Sequence, residues 1–208
     1  MWVIKLGGSW ITNPRLKELI HKLYYFRDVP IILLLGGGKF VDSIRFAHKY
    51  IKFDEELAHK LSVKATETYA RIIENIVPEK VTFTNKLNEL TKKKKLEIFF
   101  PYDELNKDKL FKKNWNSTSD SIACWVAKKL QCRGVIFIKS VSFKEITSCN
   151  LDQLQKNGIL DRNIHNYIKS NMSLKIVGPE IFEKINELKV WNKLIYYLTK
   201  IEWKKKNK

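Results

Sequence analysis

Two glycine turns and two lysines are the residues of this chain whose type and spacing suit phosphate chemistry. Lys5-Leu6-Gly7-Gly8-Ser9 closes the apolar run Trp2–Leu6, and Leu35-Gly36-Gly37-Gly38-Lys39-Phe40 closes a second run, Ile31–Leu35. Successive glycines remove Cβ atoms, so the backbone can come close to a ligand and the next N–H groups can point at phosphate oxygens. Neither turn matches the spaced-glycine, Lys-Ser/Thr phosphate loop or the dinucleotide fingerprint. Each alone reads equally well as a tight structural turn. Taken together, at the carboxyl ends of two strands where open α/β sheets bind ligands, they predict one shared phosphate cleft.

Lys5, at the end of an apolar strand beside glycines, is expected to project into that cleft; the alternative is a lysine snorkelling at an edge. Lys139 closes the run Val135–Ile138 in the same way and is either its partner across a transferred phosphoryl group or an ordinary surface lysine. Thr118-Ser119-Asp120-Ser121 opens an apolar helical stretch, so one of the four must cap that helix. Asp120 could also orient lysines by ion pairing while Thr118 and Ser119 donate hydrogen bonds to a substrate. Phosphoryl transfer asks for little more, because cations and backbone donors that neutralise the moving charge supply most of the catalysis.

These residues must be positioned by a scaffold of short β-rich runs alternating with helical spacing. Trp2–Leu6, Ile31–Leu35, Val81–Thr84, Glu97–Phe100, Val135–Lys139 and Leu174–Val177 are the expected strands. Arg15–Phe26, Phe40–Tyr50, Asp54–Ile76, Ser119–Leu130 and Ile181–Leu188 are the expected helices. The alternation predicts an α/β protein, a three-layer α/β/α sandwich on a mostly parallel sheet. In the long helix from Asp54, Leu57, Leu61, Ala65, Tyr69, Ile72 and Ile76 recur at helical spacing, as a core or subunit contact requires. Lys86–Lys95 and Lys144–Gly158 lack clean periodicity and read as surface connections. No repeat or Pro/Gly linker marks a boundary, so residues 1–208 are expected to form a single domain.

With 208 residues the chain can bury a full core. Its longest apolar stretch, Ile31–Leu35, is far too short to span a membrane, and the N-terminus shows no signal-peptide pattern, so a cytoplasmic protein is expected. Cys124, Cys132 and Cys149 have no metal-site spacing and read as buried, reduced thiols. The formal charge of +17 invites a nucleic-acid partner, but the lysines are spread along the chain. The two dense runs, Lys92–Lys95 and Lys204–Lys206, read as solvated faces or tails, which makes nucleic acid an unlikely partner.

The opening Lys5-Leu6-Gly7-Gly8-Ser9, the loop Gly36-Gly37-Gly38-Lys39-Phe40 and the helix start Thr118-Ser119-Asp120-Ser121 resemble, in order, three motifs of the amino acid kinase superfamily. Gly36–Arg45, Ala58–Leu61, Pro101–Asp103, Trp115–Ala127, Ile138–Val141 and Gly158–Arg162 look like its methanofuran-biosynthesis branch, which phosphorylates an aminomethylfuran-methyl phosphate with ATP. The resemblance implies Lys5, Asp120 and Lys139 as catalytic residues. It implies phosphate or substrate binding by Gly7, Gly8, Ser9, Gly36, Gly37, Gly38, Thr118 and Ser119, with Arg45 and His59 near the acceptor. It further implies ATP and Mg2+, with no metal ligands assigned, a small phosphorylated substrate, and a homo-oligomer joined through the Asp54 helix. Where many members carry Asp-Gly after the strand ending at Lys139, this chain has Val141-Ser142-Phe143, and the family's usual second lysine is not evident near Gly158–Arg162. A UMP kinase-like or carboxylate kinase, and a nucleotide-binding protein without catalysis, are the alternatives.

Overall fold

The computed structural model describes residues 1–26, 29–77, 81–90 and 96–204. The lysine run 92–95 and the lysines at 205 and 206 lie outside the described residues. Eight strands form one sheet: β1 (Trp2–Leu6), β2 (Ile31–Leu35), β3 (Thr82–Thr84), β4 (Leu96–Phe99), β5 (Gly134–Ile138), β6 (Ser148–Asn150), β7 (Ser173–Val177) and β8 (Thr199–Glu202). Their order is 3-4-2-1-5-7-8-6, and every pairing is parallel except that of β7 with β8. The helices are α1 (Leu16–Tyr25), α2 (Gly38–Ile51), α3 (Glu55–Glu74), α4 (Tyr102–Lys107), α5 (Ser119–Lys129), α6 (Leu151–Lys156), α7 (Ile181–Glu187) and α8 (Trp191–Tyr197).

The central strands β1, β2 and β5 are buried along their whole length, as a parallel sheet covered on both faces requires. Successive residues serve opposite cores. Ile4, Leu6, Leu33 and Ile136 join Leu19 and Leu23 of α1, Phe182 of α7 and Trp191 of α8, while Val3, Ile32, Leu34 and Phe137 join Ile122 and Val126 of α5 and Leu154 of α6. This is the α/β/α layering expected from the alternation. β1 lies between β2 on one side and β5 on the other, so the chain's path diverges at its carboxyl end and leaves a crevice there.

The structure corrects several expectations. The inward face of α3 is Ala58, His59, Ser62, Val63, Ala65, Thr66, Tyr69, Ala70 and Ile73, so of the expected apolar row Ala65 and Tyr69 are buried while Leu57, Leu61 and Ile72 are exposed. Small residues at 58, 62 and 70 let the helix lie close, so the bulkier row is left outward. Lys144–Gly158, read as a surface connection, holds β6 and α6; Asn150 caps α6 by accepting from the Asp152 and Gln153 amides at 2.8 and 3.3 Å. β8, α4 and α8 carried no periodicity long enough to announce them. Cys124 and Cys132 are buried and Cys149 is half-buried, none of them in a disulfide; burial and the nearby Asp120 and Asp161 carboxylates push the Cys124 thiol well up, which keeps it inert.

The loop that departs from the family pattern is tied to the sheet. Glu180 accepts from the Gly178 and Phe143 amides at 2.8 and 2.9 Å and from the Ser142 hydroxyl at 3.0 Å, joining the loops after β5 and β7. Burial raises its pKa, but these donors outweigh it and hold the carboxyl below its ordinary range. A depressed carboxylate contributes stability above its unfolded pKa and loses it as pH falls through the folded value. Glu180→Gln should therefore cost about 1–3 kcal/mol in urea unfolding at pH 7, and the gap to the wild type should narrow in acid.

Candidate active site

Lys5, the second-last residue of β1, stands between Leu34 and Phe137 of its neighbours and is only 5% exposed. Its Nζ lies 2.9 Å from Asp120 Oδ1, in the first turn of α5. Lys139 follows β5 directly, its N–H bonded to Val177 O at 2.9 Å, and its Nζ donates to Asp120 Oδ1 and Oδ2 at 3.0 and 2.8 Å. One buried carboxylate thus holds two ammonium groups that two adjacent parallel strands deliver. Burial alone would raise the Asp120 pKa, but Lys139 and Lys5 outweigh it and keep the carboxyl ionised. Burial lowers Lys139 to about 8, with Asp120 opposing and Lys5 assisting the shift.

The glycine turns meet each other above this triad. A Cβ on Gly8 would lie 2.0 Å from Gly38 N, one on Gly36 would lie 2.6 Å from Gly8 N, and one on Gly38 would lie 2.4 Å from Gly8 O. Gly8, Gly36 and Gly38 are thus required by turn-on-turn contact, where the sequence suggested close approach to a ligand. The contact brings the 3-10 turn Gly8–Thr12 and the start of α2 together. The first amides of each have no acceptor within their own helix, and they border the same cleft.

That cleft, of about 700 Å³, is lined by Lys5, Gly8, Ser9, Gly36, Gly37, Gly38, Arg45, His59, Thr118, Ser119, Asp120 and Lys139. Gly7 is absent from the lining and serves the backbone instead, its N–H bonded to Ile138 O at 2.8 Å. Arg45 pairs with Asp42 at 3.4 Å and its guanidinium lies 5.2 Å from the Trp115 ring centroid. His59 Nε2 is 2.8 Å from Ser117 O, so it carries the proton, and burial lowers the ring's pKa and keeps it neutral.

The helix start differs from expectation. None of the Thr118–Ser121 side chains caps α5; the Thr118 hydroxyl donates to Asp161 Oδ1 at 2.7 Å, and Asp161 Oδ2 accepts the Ser121 amide at 2.9 Å. The Thr118 proton is therefore committed within the protein. Asp161 was not singled out from sequence, nor were Trp115, Gln155 and Asn163. Asn163 Nδ2 donates to Ser117 Oγ at 2.8 Å, and Gln155 Nε2 donates to the Asp161 and Arg162 carbonyls at 2.6 and 3.0 Å. The sequence signal for that wall was the cap Asn150 and the turn glycine Gly158, whose φ is +68°.

Among the described residues no group of three His, Cys, Asp or Glu side chains is gathered as a metal site. The exposed cations Lys39, Lys156 and Arg162 add positive charge to the cleft wall. Gly8→Ala sets a side chain against backbone that cannot yield, and should lower the unfolding free energy by more than about 2 kcal/mol, read from a denaturant curve. Ser9→Ala, on the exposed neighbour, should stay within about 0.5 kcal/mol.

The description "Amino acid kinase family" matches residues 1–143. Over 146 residues the chain is 30% identical to the [5-(aminomethyl)furan-3-yl]methyl phosphate kinase of Methanocaldococcus jannaschii, a match that takes in 68% of this chain and 66% of that protein, just under two thirds of its length. In fold it is similar to the uridylate kinase of Archaeoglobus fulgidus, with a TM-score of 0.68 at 16% identity over 97% of this chain and 99% of that one. It is likewise similar to the UMP kinase of Ureaplasma parvum, with a TM-score of 0.64 at 16% identity over 97% and 98% of the two chains. With the motifs, the cleft and a family match over more than half its length in agreement, the chain belongs to the amino acid kinase family.

Proposed function

We propose that the protein is an ATP-dependent kinase that phosphorylates the phosphate group of a small phosphomonoester, [5-(aminomethyl)furan-3-yl]methyl phosphate being the acceptor its 30% identical relative favours. The observation that carries the reading is the Asp120 carboxylate holding Lys5 and Lys139 side by side beneath two glycine turns. An oxygen of the acceptor phosphate attacks the γ-phosphorus in line, the bond to the β,γ-bridging oxygen breaks, and ADP leaves. The attacking oxygen is already anionic, so no protein base is needed. The two ammonium groups and the turn amides meet the charge on the transferred group. Magnesium, where the family's ATP brings it, fits on the nucleotide's own phosphates: Asp120 is shared between two lysines and Asp161 is bonded to Thr118 and Ser121.

The same reading includes a homodimer. Phe46, Tyr50 and Ile51 of α2 and Leu57 and Leu61 of α3 are 42–73% exposed on two helices packed together, and the Phe46 and Tyr50 rings are 4.7 Å apart. Apolar side chains exposed together on paired helices suit an interface, and a second copy of this chain is the partner we assign to them.

ADP release should be tested across the furan phosphate, UMP, a carboxylate and an isoprenoid phosphate. Turnover of the furan phosphate alone is expected; turnover of UMP alone would move the acceptor to a nucleotide, and ATP binding without any turnover would leave a nucleotide-binding protein. Lys5→Ala should lower kcat by about 10²–10³-fold. Because the cationic form of Lys139 is the one needed, kcat/KM should fall as pH rises through about 8, and Lys139→Arg should carry that alkaline limb out of range. Leu61→Glu should shift the sedimenting species from dimer to monomer in analytical ultracentrifugation.

A further inference from the structure

We infer that Asp161 is a positioning residue of the phosphoryl-transfer cluster, acting through Thr118 and the first turn of α5 to hold Asp120 between the two lysines; this rests on the kinase reading of the cleft.

The starting observation is a cap delivered from 40 residues away. Thr118 stands at the N-cap of α5 with a hydroxyl of the preferred capping type, yet that hydroxyl donates to Asp161 instead of accepting from the helix. The free amide of Ser121 is taken by the other Asp161 oxygen. Asp120 lies between these two anchor points in sequence, so both ends of its turn are fixed by one carboxylate. Asp161 is itself held, since Gln155 donates to its carbonyl and that of Arg162, and Asn163 donates its backbone N–H to Asn116 O at 3.0 Å and its Nδ2 to Ser117 Oγ. A chain of hydrogen bonds thus runs from α6 to the two lysines.

An Asn, which caps an ordinary helix as well as Asp does, has one acceptor oxygen and, placed as Asp161 is, could take only one of the two donors, Thr118 and Ser121, that the Asp161 carboxylate takes together. The carboxylate is the more demanding choice here: burial and the neighbouring Asp120 push its pKa up, with Thr118 and Ser121 opposing. Its charge acts in addition on the cations nearby. Lys5 and Lys139 pair with Asp120, and the Asp161 charge, bonded to Thr118 and Ser121 beside it, acts on them at longer range. Asp161 accordingly favours the protonated form of Lys139, alongside Asp120 and against Lys5 and burial.

The test reads the full-length protein without ligand first. With lysine side chains labelled with 13C at Cε, the Lys139 titration midpoint is compared between the wild type, Asp161→Asn and Thr118→Val. A midpoint moved down by more than about half a unit in Asp161→Asn, and by less in Thr118→Val, is expected; an unmoved midpoint in Asp161→Asn overturns the proposal. With ATP and the furan phosphate, Asp161→Asn should lower kcat about tenfold or more and leave both KM values within about threefold. The double variant should be no slower than Asp161→Asn within about twofold, because the two side chains act through one contact. Multiplying losses, or a loss confined to KM, would overturn it. Should Asp161→Asn fail to fold, a kcat loss with steady KM in Thr118→Val supports the proposal, and wild-type kcat there overturns it. A wild type that turns over none of the four acceptors removes the kinase reading, and the titration still decides the place of Asp161.

Discussion

Placing two lysine ammonium groups against one carboxylate beneath a cleft is the constraint around which this protein is arranged. A lone ammonium in such surroundings would lose its proton or draw the chain open to water, and a lone carboxylate would be no better off. Asp120 resolves both by sharing its two oxygens between Lys5 and Lys139. The arrangement demands that β1 and β5 be adjacent and parallel and that α5 begin above their carboxyl ends, and the strand order provides both. The apolar layers on either side of the sheet then exclude water from all but the cleft.

Much of this was legible in the sequence because it is encoded locally. Uninterrupted runs such as Ile31–Leu35 and Val135–Ile138 can only be strands buried on both faces, and the lysines closing two such runs are placed by the strand itself. Two of the three family motifs close such strands, β1 and β2, and the third opens α5. What escaped was encoded across distance. That Asp161 caps α5 depends on how the turn after α6 folds back, and nothing in Gly158–Arg162 announces a partner 40 residues away. The apolar row of α3, read as a core or a subunit contact, divides between the two, Ala65 and Tyr69 inward and Leu57, Leu61 and Ile72 outward, because an apolar row and a row of small residues lie side by side on that helix and only packing decides between them.

The glycines show how a correct location can carry an incomplete reason. Missing Cβ atoms suggest room for a ligand, and the cleft is indeed bordered by these turns. The nearest obstacle to a side chain on Gly8, Gly36 or Gly38 is nevertheless the other turn. A sequence can show that close approach is needed without showing what approaches.

That contact has a mechanical side. Gly8 and Gly38 interlock at the ends of neighbouring strands whose own ladder is continuous up to Leu6 and Leu35, so the floor of the cleft is a single stiff plate. The walls are different in kind: one is the α2–α3 hairpin with Arg45 and His59, the other the short turn Gly158–Arg162 hung on α6. The Gly158–Arg162 wall is tied through Asp161 to the helix start that carries Asp120, so any narrowing of the cleft around a phosphate falls to the α2–α3 wall.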